Sequence, residues 1–317
     1  MTEGSALPKK GYFLVIVAAV LWAVSGSSGK FLFHRGVTPA ELVQLRLTLS
    51  TVLLFFWLLI KDRQLLKIFP RDIFYFLVLG TAGMAMVQYT YFHAISKIHV
   101  AVAILLQYLA PLFIALHAVL LARERLTRPT LIALAGSTFG CYLVAGAYNF
   151  NLLTMNLEGI AFGIASGIAF AWYAIQGERG MRRYNPWTVL FYALFFASLF
   201  WNLAIFPLKA FQRPYGMVEW AWMGYIVIFG TIVPYWLYSE GISLIRATRA
   251  SVTATLEPIT AAFISFFFLG EILEPLQMLG GGLVILSVIL LQLKREHDEN
   301  TPVLIRARQK LQEMQEK

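Results

Sequence analysis

The chain has 317 residues, of which 59% are hydrophobic and only 14% charged, with a formal net charge of +9. A soluble domain carries roughly 25% charged residues, so a soluble enzyme or binding module is excluded and most of this chain must face lipid or other membrane helices. The positive balance does not indicate nucleic acid, because the basic residues fall between hydrophobic runs, a distribution that bears on membrane orientation.

The first apolar run contains a decoy. Its ending, Gly29-Lys30 in "VSGSSGKF", looks like that of a phosphate-binding loop. The pattern G-x-x-x-x-G-K-[ST] needs glycine where Val24 stands and a hydroxyl where Phe31 stands. Without that hydroxyl a bound Mg²⁺ lacks its usual protein ligand. Gly11 to Gly29 is instead 19 residues without a charge, about 28 Å as a helix at ~1.5 Å per residue, enough to span a hydrocarbon core. Ser25 and Gly29 then form a small-xxx-small face that lets another helix come close. The run is too long for a signal-peptide core and lacks a convincing cleavage site, so it is expected to stay in the mature protein.

Ten membrane spans are expected, near residues 12–34, 41–60, 72–95, 99–121, 129–148, 157–177, 187–208, 219–244, 248–270 and 275–293, with short connections and no inserted soluble domain. The single cysteine, Cys141 in "FGCYLV", excludes an intramolecular disulfide and reads as a packing residue. With the N-terminus placed inside, sixteen Lys and Arg fall on inner segments and four on outer ones. That bias puts both termini in the cytoplasm and the protein in the cell membrane. Trp220 and Trp222 suit an aromatic belt at the outer interface. Residues 294–317 form a charged cytoplasmic tail. Within it Thr301 and Pro302 can start a helix whose Leu304, Ala307, Leu311 and Met314 share one face, on the membrane surface or against a partner. A solvated, frayed tail explains it equally well.

The chain repeats itself at an offset of 147 residues. "AISKI" (Ala94 to Ile98) lies over "GISLI" (Gly241 to Ile245), and "LAPLFIA" (Leu109 to Ala115) over "LEPITAA" (Leu256 to Ala262). Pro39 matches Pro186, Gly83 matches Gly230, Tyr91 matches Tyr238, Ala103 matches Ala250 and Glu124 matches Glu271. The repeats run over 11–148 and 157–293. Five spans each makes the second enter the membrane with opposite polarity, and an inverted repeat of this kind is a signature of secondary transporters.

These residues carry a family resemblance. "LW" in span one (Leu21, Trp22), prolines Pro111 and Pro258 in spans four and nine, a glutamate thirteen residues after each (Glu124 and Glu271), and "TLEPITAAFISFFFLGEIL" resemble the EamA-type repeat. The resemblance covers both halves and departs mildly at Ala23, where the family usually has glycine. It implies the drug/metabolite transporter superfamily: an all-α integral membrane fold of ten helices and a central cavity lined by spans one, three, four, six, eight and nine. It does not name the cargo.

Glu257 is the leading candidate for substrate binding or coupling. It lies about ten residues into span nine, where an acidic side chain costs roughly 2.5–3.5 kcal/mol to insert, and such residues normally mark a substrate or proton path. Its alternative is a protonated brace of a broken helix. Pro258 beside it leaves the carbonyl of Ala254 without a donor, and both Pro258 and Pro111 are hinge candidates. Ala250, Thr253, Ala254, Glu257 and Ala261 form one small or polar face. On span four, Gln107 shares a face with Ala103, Ala110 and His117 and can donate and accept, as a substrate contact or as an interhelical brace. Gln88 and Tyr91 on span three, and Tyr235, Tyr238 and Ser239 on span eight, can add polar contacts. Trp22 on span one, with Trp172, Tyr173 and Gln176 on span six, can add aromatic walls, although packing alone explains each aromatic. Glu240 is a candidate inner-gate partner for Arg246 or Arg249, although a solvated helix end explains it as well, and Lys30 reads as a snorkelling residue. Arg46 reads as a helix-end or intersubunit contact.

A membrane enzyme needs a nucleophile, an acid–base pair or a metal cluster. The five histidines do not fall at metal-ligand spacing and no carboxylates pair within the spans. A sensor or scaffold gives no reason for a midplane carboxyl beside a helix-breaking proline. The sequence therefore reads as a secondary active transporter, not an enzyme, exporting small metabolites such as amino acids by alternating access, without cofactor or metal. An uncoupled facilitator or exchanger, or an importer, stays open. So do protons as the coupling ion and a homodimer. Its partners are membrane lipids and a small-molecule substrate, not nucleic acid.

Overall fold

The computed structural model describes residues 3–122, 126–149, 156–269 and 274–293. Glu124, Glu271 and the tail 294–317 lie outside the described residues. The regular structure of those described is all helical, without a strand.

In chain order the helices are α1 (Glu3–His34), α2 (Pro39–Lys61), α3 (Ile73–Val78), α4 (Met86–Lys97), α5 (Val100–Gln107), α6 (Ala110–Leu120), α7 (Arg128–Val144), α8 (Leu157–Met181), α9 (Pro186–Ala204), α10 (Met217–Val227), α11 (Val233–Ala254), α12 (Leu256–Leu269) and α13 (Pro275–Leu293). Short π-helical segments, Leu79–Ala85 and Ile228–Ile232, join α3 to α4 and α10 to α11. Among the described residues seven helical stretches are long and apolar enough to cross a membrane, the longest being Met217–Ala254, and Pro275–Leu291 is a shorter apolar helix. Large apolar side chains such as Phe56, Trp57, Leu116, Leu120 and Leu203 are exposed on the outer faces. Such faces suit lipid contact rather than water. The chain is a multi-pass membrane protein.

Local chemistry sets the helix starts. Thr38 caps α2: its Oγ1 accepts from Glu41 N (3.2 Å) while Glu41 Oε2 accepts from Thr38 N (2.8 Å), a capping box with Pro39 in the first turn. Asn185 does the same for α9, accepting from Trp187 N at 3.0 Å ahead of Pro186. Element boundaries recur at the sequence offset. Pro39 and Pro186 open α2 and α9, Arg128 and Pro275 open α7 and α13, and the two π segments cover equivalent residues.

Two features depart from the spans expected. No clean gap separates spans eight and nine; helix runs on to Ala254 and is interrupted at Arg246, whose φ of 70° and ψ of 161° are not helical. Span four breaks at Tyr108 and Leu109, and the stretch ending in α12 breaks at Thr255. A proline lies just beyond each break, and without an N–H it cannot bond back to the preceding turn.

The elements pack in pairs, α1 against α11, α4 against α8 and α7 against α13, around a core that includes Trp22, Phe92, Tyr108, Tyr173 and Tyr238. Gly29 is needed in this arrangement, because a Cβ there would overlap the Phe92 ring on α4. The small face expected at Ser25 and Gly29 does bring α1 close to its neighbours.

Candidate functional site

The breaks at Tyr108 and Thr255 lie close together, linked by the contact between Tyr108 and Glu257. Around them α1, α2, α4, α8 and α11 line a partly open cavity of about 30 Å³, room for about one water. Its walls are Trp22 and Ser25, Arg46, Val87, Gln88 and Tyr91, Gln107 and Tyr108, Phe170, Tyr235 and Glu257.

Glu257 stands in the first turn of α12 and is only 3% exposed. The Tyr108 hydroxyl donates to its Oε2 at 2.7 Å. The Tyr91 hydroxyl lies beside the same carboxyl without a hydrogen bond of normal geometry. A carboxylate held this deep needs a cation, a proton or further donors to offset its lost hydration.

Arg46 corrects the sequence reading. It is not a helix-end or intersubunit contact; it is 3% exposed and lines the cavity. Its Nε and Nη2 donate to Thr231 Oγ1 (3.1 and 2.8 Å), and Nη2 also donates to Gly230 O (3.0 Å). The guanidinium carbon lies 4.8 Å from the centre of the Phe92 ring. The π segment makes this possible: Thr231 Oγ1 donates to Ile226 O at 2.8 Å, five residues back, turning its lone pairs toward the arginine. Gly230 is required as well, because a Cβ there would overlap Ser25. An ionisable residue inside an apolar span is a functional candidate by default, and that signal, applied to Glu257, was equally present at Arg46.

Of the sequence candidates, Trp22, Gln88, Tyr91, Gln107, Tyr235 and Glu257 line one cavity. Trp22 meets Tyr235 and Tyr238 edge-on, with ring centres 5.0 and 5.3 Å apart. Tyr173 packs on Tyr235 at 5.6 Å, behind the wall. Ser239 is buried on α11 and Tyr238 stacks on Phe170 at 5.3 Å. Trp172 and Gln176 are not in the lining. Trp172 is 37% exposed, because one residue of helix turns the chain about 100° away from inward-facing Tyr173. Gln176 accepts from Arg179 at 3.5 Å. Pro111 and Pro258 sit just past the two breaks. Along the small face expected on span nine only Glu257 reaches the cavity; Ala250, Thr253 and Ala254 are buried in packing, since the break at Thr255 re-aims the helix. Tyr108, a wall residue that sequence reasoning passed over, stood out among 14 tyrosines by nothing but its distance from Pro111.

Ion pairs lie at both ends of the bundle. At the end where α1 finishes, Arg35 pairs with Glu219 (2.8 Å), Arg213 with Glu41 (3.2 Å), and His93 and Lys97 with Glu158 (2.8 and 3.0 Å). Lys30 Nζ donates to Ile95 O (2.6 Å), so it caps α4 rather than snorkelling. At the other end Asp72 pairs with Arg183 (3.6 Å) and accepts from Tyr184 (2.6 Å). There Glu178, not Glu240, meets Arg246 (3.3 Å) and accepts from Ala247 N (2.8 Å). Glu240 instead helps line a wider hollow of about 410 Å³ with Lys10, Lys61, Trp187 and Trp236.

Comparison with known proteins gives this arrangement a family. The profile of the EamA-like transporter family matches twice, over residues 9–146 and 157–293. An uncharacterized transporter of Archaeoglobus fulgidus is 32% identical over 202 residues, covering 63% of this chain and 70% of the relative. The uncharacterized inner membrane transporter YicL of Salmonella typhimurium is 28% identical, over 90% of this chain and 96% of the relative. The threonine/homoserine exporter RhtA of Escherichia coli is 28% identical, over 86% and 88%. A solved crystal structure shares the fold with a TM-score of 0.73 at 19% identity, covering 90% of this chain and 97% of its own. The relatives are named as transporters, not enzymes, and the chain belongs to the EamA-like transporter family of the drug/metabolite transporter superfamily.

Proposed function

We propose that the protein is a secondary active transporter of the cytoplasmic membrane that exports small metabolites, amino acids among them, by alternating access. The observation that carries this reading is the hydrogen bond between Tyr108 and Glu257. It joins the two family-matched stretches in the buried interior, at a helix break in each. In a transporter built from two repeats, rocking of packed helices around such a buried polar point exposes it to either side in turn.

In this reading ten helices form two inverted five-helix repeats, and both termini are cytoplasmic. The recurrence of helix starts at the sequence offset supports the repeat. The Lys and Arg excess at the end holding Lys10, Lys61 and Arg183 supports the orientation. The RhtA name supports the direction and the class of cargo. Glu257 then takes a proton or a cationic group in exchange for its lost hydration.

The test is a metabolite profile of cells and medium for wild type, Glu257→Gln and empty vector at equal membrane levels. A compound that gathers outside only with wild type supports export and the role of Glu257. Equal efflux by wild type and the variant removes Glu257 from the mechanism, and three identical profiles count against export.

A further inference from the structure

We propose that Arg46 binds a carboxylate and Glu257 an ammonium group of the same cargo, so that the central site selects small zwitterions. This rests on the transport reading above and adds a chemical class to it.

The argument begins with the company Arg46 keeps. A buried guanidinium is normally paired with a carboxylate, because burying a charge without a counter-charge is costly. Here the acceptors are a hydroxyl and a peptide carbonyl, Thr231 Oγ1 and Gly230 O, and the Phe92 ring covers one face. Among the described residues Arg46 forms no ion pair, and its Nη1 makes no hydrogen bond. A guanidinium presents five N–H donors in a planar fork that matches a carboxylate, so donors remain for one.

Glu257 lines the same cavity with a carboxyl, and among the described residues no ion pair joins it to Arg46. A guanidinium and a carboxyl that share a space without pairing can each take one end of a molecule that bridges them. Tyr108 takes one lone pair of the carboxyl; about three remain, enough to accept from an ammonium. The indole N–H of Trp22, buried in the same wall, has no hydrogen-bond partner among the described residues. It is a further donor for a carboxylate, whereas the Tyr91 hydroxyl lies beside Glu257.

The bridge also spans the molecule. Arg46 belongs to the first family-matched stretch and Glu257 to the second, so a zwitterion held at both ends ties the halves together. A lone amine or a lone acid does not. The cavity of about 30 Å³ is smaller than any amino acid, so the walls part to admit one.

The experiment measures the thermal stability of the purified full chain in detergent against L-threonine, L-threoninamide (no carboxylate), 2,3-dihydroxybutanoate (no ammonium) and the other proteinogenic amino acids. Wild type is expected to be stabilised by one or more amino acids, with the two half-analogues roughly ten- to hundredfold weaker, the loss of one charge-assisted contact each. Arg46→Gln should erase the preference for the acid over the amide. Arg46→Lys, which keeps the charge and guards against misfolding, should restore part of it. Glu257→Gln should erase the preference for the amine over the hydroxy acid. Stabilisation by amide and acid alike in wild type, an unchanged preference in Arg46→Gln, or no response to any amino acid overturns the proposal. Efflux of a non-zwitterionic metabolite in the profile described above, together with that last result, removes the zwitterion site while leaving the transporter reading intact.

Discussion

Tyr108 and Glu257, 149 residues apart in sequence, share a hydrogen bond of 2.7 Å between hydroxyl and carboxyl. Tyr108 ends α5 at a break, and Glu257 begins α12 just after one. Each side chain is aimed by the interruption in its own helix. An unbroken helix through Pro111 or Pro258 would turn these residues by a different angle and lose the contact.

Tyr108→Phe should therefore uncouple carboxyl and fold. Removing a hydrogen bond to a charged or strongly polar buried group costs about 1.5–3 kcal/mol. The variant is expected to melt several degrees lower and to transport about tenfold more slowly. Glu257→Gln keeps an acceptor for the tyrosine, so it should melt close to wild type while losing transport more fully. Melting curves and efflux rates on the same preparations check both. Wild-type behaviour of Tyr108→Phe in both assays would refute a working contact.

The helices and the family were legible in the sequence, because long uncharged runs and a repeat at constant offset are one-dimensional signals. The site was only half legible. Glu257 stood out as a carboxyl in an apolar run, and Gln107, Gln88 and Tyr91 followed from helical phase. Arg46 carries the same signal of a charge in an apolar run, but its inward role was hidden because the groups that make its burial tolerable, Gly230 and Thr231, lie about 185 residues away and owe their placement to a π segment. The sequence does not separate Trp172 from Tyr173, because phase on a helix apolar on nearly every side is ambiguous by one residue. The exchange of Glu240 for Glu178 at Arg246 has a similar origin: the kink at Arg246 turns its side chain toward α8.

The approach of α1 to the π segment makes a second prediction. A methyl group at Gly230 would overlap the Ser25 side chain, so Gly230→Ala should lower the melting temperature and slow efflux. Overpacking of this sort typically costs about 1–3 kcal/mol. Adding Ser25→Gly removes the clashing atoms and should recover most of the stability. If Gly230→Ala alone is silent, the two helices are not in contact at this point.

Orientation is testable with the single cysteine removed. Cys141 is buried, and Cys141→Ala is a small change in volume that should be tolerated. New cysteines at exposed Arg63 or Lys67 should react with a membrane-impermeant maleimide only from the cytoplasmic side. Cysteines at exposed Lys209 or Met217 should react only from outside. Reaction at both pairs from one side would overturn the proposed topology, which puts an odd number of crossings between them.

The last prediction concerns the ends. Arg35–Glu219 and Glu41–Arg213 tie the two family-matched stretches together at one end, and Asp72–Arg183 ties them at the other. Alternating access as proposed has to break one set while keeping the other. These pairs are partly exposed, and such pairs contribute only about 0–1 kcal/mol to stability. Glu219→Gln should therefore leave the melting temperature nearly unchanged. The same small energy acts fully on a balance between two conformations, where about 1 kcal/mol is a fivefold shift. A cysteine at Ser25, on the cavity wall, reports that balance through its maleimide reaction rate in sealed vesicles of either orientation. Glu219→Gln should raise the rate from the Arg35 end several-fold, and Asp72→Asn should raise it from the opposite end. The charge swap Arg35→Glu with Glu219→Arg should return the first rate to the wild-type value, because it rebuilds the pair in reverse. If neither variant changes either rate, these pairs do not gate the cavity, and closure must come from the apolar packing around it.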